Sequence, residues 1–98
     1  MRNIHALFAS ISFSLFAAPS FGQKPLNCEM QMMLNGMTAL QRDQGVPRSE
    51  AVIAKNADGE LKPQEIKQIL DRVYIHQRNR TPDQIKDEVY RKCQSSRR

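Results

Sequence analysis

Ile66, Ile69, Leu70, Val73 and Tyr74 recur at i, i+3, i+4, i+7 and i+8, which paints a single apolar stripe along a helix spanning Lys62–Gln77. Such a helix gains its stability by burying that stripe against other segments. No part of the chain alternates as a strand does, and there is no internal repeat or low-complexity tract. The stripe therefore has to be covered by other helices, and the fold class expected is all-α: a small bundle of about four helices, one of them short.

The start of the chain has a different character. Arg2 and His5 are followed by an almost uncharged run to Gly22, with its apolar centre over Ile4–Ala18. The run is shorter than the roughly twenty residues a membrane-spanning helix needs, and Pro19 and Gly22 close it. This is the pattern of a secretory signal peptide over 1–22, with Ser20 and Gly22 at −3 and −1 of a cut before Gln23. Membrane contact is expected only through that segment before cleavage. What remains, 23–98, is about 76 residues and one helical domain, with a net charge of about +4 once Arg2 is removed. The location expected is periplasmic or secreted.

A domain this small buries a modest core and often needs a covalent staple. Cys28 and Cys93 are the only two cysteines, so in an exported chain they read as one disulfide with a single connectivity, tying the first mature helix to the last; two unpaired buried thiols, or lipidation at Cys28, are the alternatives.

The first helix runs from Cys28 to Gln44, with Gly45 suited to a left-handed C-terminal position. Met30, Met33, Leu34, Met37 and Leu40 share one face and read as core, since methionine at helical spacing usually fills an interior. Cys28 then falls nearly opposite that face, so its disulfide requires the first turn to bend inward. Gly36 costs the helix about 1 kcal/mol relative to alanine, which points to close packing or a bend there. Pro47 or Ser49 opens a short helix reaching about Asn56, with Ala51, Val52 and Ala54 turned inward. The central helix begins at Pro63 and ends near Arg78-Asn79-Arg80, where cations suit the negative helix end. Thr81-Pro82-Asp83-Gln84 is a capping box with proline at N1. It opens a last helix that carries Ile85, Val89 and Cys93 on its inner face.

One stretch has the spacing of a metal site. Ala54–Glu65 matches a twelve-residue EF-hand loop at Asn56, Asp58, Gly59 and Glu65, with the Glu60 carbonyl as a further oxygen. Ala54 replaces the acid that opens such a loop, so weak calcium binding stands beside a plain Asx-Gly turn feeding a helix. No other cofactor is expected. Basic residues crowd toward the end of the chain (Arg72, Arg78, Arg80, Lys86, Arg91, Lys92, Arg97, Arg98), but interleaved acids and two tyrosines point away from nucleic acid and toward a solvated face. His76 has no Ser or Cys motif beside it, and one His with two Cys makes no closed zinc set; no catalytic residue is assigned and the chain reads as a non-enzyme.

The positions Cys28, Arg42–Pro47, Ser49-Glu50-Ala51, Val73-Tyr74, Thr81-Pro82, Val89-Tyr90 and Cys93 resemble those of a group of small exported proteobacterial helical proteins of unknown function, which keep a cysteine near each end of the mature domain. That resemblance implies a periplasmic all-helical domain and carries no activity. The weaker resemblance to an EF-hand rests on the loop alone. The function expected is a non-enzymatic protein-interaction module of the cell envelope, its binding surface drawn from exposed parts of the methionine helix or from the basic terminal helix. A calcium-responsive module and an inhibitor of an exported enzyme are the alternatives.

Overall fold

In the computed structural model, which describes residues 26–97, the chain is all-helical. The expected leader and its cut site lie outside the described residues. Helix α1 covers Cys28–Asp43, a 3₁₀ turn covers Arg48–Glu50, and the short α2 covers Val52–Lys55. Helix α3 covers Pro63–Asp71 and widens into a π-helical segment over Arg72–His76, and α4 covers Pro82–Ser96. Among the described residues no helix is long and apolar enough to cross a membrane.

Local chemistry sets most of these boundaries. Asn27 accepts a bond from the Met30 N–H at 2.8 Å and opens α1. At its other end Gly45 takes φ 88°, so that Val46 N–H reaches Gln41 O and Gly45 N–H reaches Arg42 O, both at 3.0 Å. That pair of bonds is a Schellman motif, and the positive φ is why glycine stands there. The capping box of α4 forms as its sequence specifies: Thr81 Oγ1 accepts from Gln84 N–H at 3.1 Å and Gln84 Oε1 accepts from Thr81 N–H at 2.9 Å.

The core consists of Ile69, Leu70 and Val73 of the central helix, Ile85 and Val89 of α4, Ala39 of α1, and Ala51 and Ile53. Ile66 and Tyr74 pack at its margin, so the stripe is covered as expected. The Tyr74 hydroxyl donates to Val46 O at 2.7 Å, and burial raises its pKa above the ordinary tyrosine value. Cys28 and Cys93 form a disulfide with Cα atoms 5.5 Å apart, clamping the first turn of α1 to the last turns of α4.

Three expectations are corrected. Of the Met30–Leu40 face of α1 only Leu34 packs against the core, at its margin, while Met30, Met33, Met37 and Leu40 are exposed; the buried residues of that helix are Cys28, Asn35, Gly36, Thr38 and Ala39. Cys28 therefore points inward from a regular helix and no bend is needed. In the second segment Val52 is exposed and Ile53 is buried, because the backbone leaves helical geometry at Ala51 (ψ 145°) and α2 restarts one residue out of phase. The cation at the end of the central helix is supplied by Arg42 of α1 rather than by Arg78 or Arg80.

Arg42 donates through Nη1 to Val73 O at 3.0 Å and Gln77 O at 3.2 Å, and through Nη2 to Arg80 O at 2.7 Å. The π segment makes this possible. Gln77 N–H bonds back to Arg72 O at 2.7 Å, five residues away, which leaves the Val73 carbonyl unclaimed by its own helix. A fixed guanidinium fork thus meets carbonyls from successive turns at the negative end of the helix.

Gly36 is explained by close packing. A Cβ there would collide with Cγ and Cδ of Lys86, whose stem lies across the glycine from α4. Gly36→Ala should therefore forfeit the roughly 1 kcal/mol of helix propensity that alanine normally brings, whereas the same change in a Lys86→Ala background should recover it. Urea titrations of the four proteins in that cycle give the coupling, and additivity would mean that the Lys86 stem is not held there.

Candidate functional site

The surface of α1 is the unusual part of the molecule. Met30 is 44% exposed, Met33 59%, Met37 37% and Leu40 51%, and Val52 beside them is 59% exposed. At 100° per residue, Cys28, Asn35, Ala39 and Arg42 fall within about 60° of one another on one side of the helix, and the methionine row lies on the other. The inward side is small and polar because it has to approach α4 closely and pair with Arg72. Asn35 is buried, accepts from Arg72 Nη1 at 2.8 Å and donates to Gln31 O at 2.7 Å. Burial lowers the Arg72 pKa from its ordinary value, an effect opposed by the charge of Glu88.

The exposed row has the 3-4-3 spacing of a helix-packing seam and is flanked by two grooves. One, of about 510 Å³, is lined by Met33, Gly36, Met37, Leu40, Pro82 and Lys86. The other, of about 340 Å³, lies between Met30, Leu34 and Met37 on one side and Val52, Ile53 and Leu61 on the other. Met37 is the ridge between them.

The basic terminal helix is a weaker candidate, because its charges are largely paired along the helix. Arg91 meets Asp87 at 3.0 Å, Lys92 meets Glu88 at 3.1 Å and Lys86 lies 3.8 Å from Asp83. His76 is exposed at the end of the π segment.

In the loop with EF-hand spacing, Asn56 adopts the left-handed conformation (φ 42°, ψ 51°), accepts from Leu61 N–H at 3.3 Å and donates to Leu61 O at 3.1 Å. Glu65 Oε1 accepts from Lys62 N–H at 3.1 Å and so closes the start of α3. Asp58 and Glu60 are exposed. Among the described residues no group of three or more His, Cys, Asp or Glu gathers as a metal site would require. Calcium coordination by this loop would take Asn56 and Glu65 away from their backbone partners.

No family model, curated protein or solved structure matches the chain.

Two carboxylates are shifted by their ion-pair partners. Asp71 is held below its ordinary pKa by hydrogen bonds from Lys67 (2.8 Å) and Arg48 (2.7 Å), and Glu88 by one from Lys92, with burial opposing both. A carboxyl that titrates lower when folded contributes stability that is complete above its unfolded pKa of about 4 and is lost as pH falls through the folded value. The urea midpoint should therefore be flat from about pH 7 to 5 and fall below about pH 4. Asp71→Asn combined with Glu88→Gln should flatten that fall, and an unaltered acid limb would remove both groups as its source.

Proposed function

We propose that the chain is a non-enzymatic protein-interaction module, exported to the periplasm or beyond, that presents the exposed face of α1 to a partner. The observation that carries this reading is the orientation of α1: Met30, Met33, Met37 and Leu40 face solvent while small and polar side chains pack inward. A soluble domain gains nothing from such a row unless something covers it, and methionine suits a surface that must adapt to what it meets. The leader pattern and the disulfide support the location, because disulfides persist in oxidising compartments.

Photo-crosslinking in the cell envelope tests this. A benzophenone side chain at position 33 should give adducts of defined mass, whereas one at position 91, on the charge-paired face, should not. Leu40→Glu should abolish the adducts from position 33 while leaving the helical circular-dichroism spectrum unchanged. Equal adducts from both positions, or none from position 33, would count against the reading.

A further inference from the structure

The rim of the methionine face differs in charge from the rest of the molecule. Glu29 adjoins Met30 on α1, Asp58 and Glu60 line the smaller groove, and Asp83 lines the larger, where it is paired with Lys86 at 3.8 Å. Lys55 and Lys86 are the bases among the same linings. The rim is thus net acidic on a chain of formal charge +5. Away from the face, Asp71 is paired with Lys67 and Arg48, Asp87 with Arg91 and Glu88 with Lys92, whereas Glu50 and Glu65 have no ion pair among the described residues. Glu29, Asp58 and Glu60 have no ion pair among the described residues.

From this complementarity we infer that the occupant of the face is a basic amphipathic helix, which lays its apolar side along Met30–Leu40 and sets its lysines or arginines against Glu29, Asp58 and Glu60. The inference rests on the interaction reading above and adds the chemistry of the partner. A two-groove surface divided by a ridge suits a helix whose apolar anchors recur at i, i+3 or i+4, and i+7, so that successive anchors drop to either side of Met37. A second copy of the chain fits less well. In an antiparallel pairing of two α1 helices Glu29 would oppose Asp43 of the other copy, and acidic rim would meet acidic rim. Flexible methionines accept anchors of different shape, so charge on the polar face of the incoming helix becomes the main discriminator.

The test uses the disulfide-bonded mature protein and three synthetic 18-residue peptides that share one leucine face and carry lysine, glutamine or glutamate on the other. Binding is read from titration calorimetry and from the methyl resonances of Met30, Met33 and Met37. The lysine peptide should bind at least about tenfold tighter than the glutamine peptide at low salt, shift those methyls, and lose most of its advantage in about 0.5 M salt. Asp58→Lys combined with Glu60→Lys should cut the lysine peptide's affinity severalfold without weakening the glutamine peptide. Equal or tighter binding of the glutamine or glutamate peptide at the same methyls would overturn the basic-partner inference while leaving the docking face in place. Methyl shifts that grow with protein concentration alone would assign the face to a second copy and overturn the inference. Methyls that no peptide moves at millimolar concentration would overturn both this inference and the reading beneath it.

Discussion

Replacing Cys28 and Cys93 together by alanine is expected to lower the free energy of unfolding by about 4 kcal/mol. The bond closes a loop with a sequence separation of 65, and on the chain-entropy account that constraint acts mainly by restricting the unfolded chain. A domain of this size has about 4 to 11 kcal/mol of net stability in total, so the variant should be partly or wholly unfolded at 37 °C. Urea titration of the oxidised protein against the double variant measures the difference, and the methionine resonances report whether the face of α1 survives. A loss below about 1 kcal/mol would mean that helix packing alone holds α1 on α4.

Arg42→Met is the second large effect expected, at about 3 kcal/mol. The guanidinium donates to the carbonyls of Val73, Gln77 and Arg80. A hydrogen bond to a charged group contributes about 1.5–3 kcal/mol alone, and three that share one guanidinium add to less than their sum, about 3 kcal/mol together. Methionine keeps much of the stem's packing, so the loss reports the hydrogen bonds and charge rather than a cavity. Arg42→Lys should recover less than half, because an ammonium lacks the planar fork that spans carbonyls on successive turns. Amide exchange should quicken most over residues 72–80. Faster exchange spread evenly over the chain would instead mark a global loss of stability with no local role for the side chain.

The parts of the fold that could be read from the residues are those written in local chemistry. Thr81, Pro82 and Gln84 specify a helix start without help from the rest of the molecule, and the row from Ile66 to Tyr74 is apolar enough that only one face could be buried. The same reasoning fails at α1 because it ranks side chains by hydropathy. There the inward face was decided by size and by a long-range polar contact: Gly36 admits the Lys86 stem, Ala39 fits the core, and Asn35 receives Arg72 from 37 residues away. One sign of this was available, since Cys28 lies opposite the methionines and a buried disulfide fixes which side is in. Given the bond, the orientation of the whole helix follows. Arg42 had no comparable signal. Its partners are backbone carbonyls freed by a π segment, and nothing in the local sequence announces either. Val52 and Ile53 exchanged places for a smaller reason, a single extended residue at Ala51 that shifts the helical phase.

The disulfide also settles where a mechanical load would run. It joins the first turn of α1 to the last turns of α4, so the two ends of the described domain lie side by side, and Arg97 Nη2 lies 3.4 Å from Leu26 O. A pull applied at those ends passes through a few residues and one covalent bond and bypasses the bundle. In the oxidised protein stretching should release almost no length, and the α1 face would keep its shape under tension. Once the bond is reduced, the 65-residue separation becomes extensible to about 220 Å, at roughly 3.4 Å per residue. The same domain would then give way as a spring instead of standing as a rigid link.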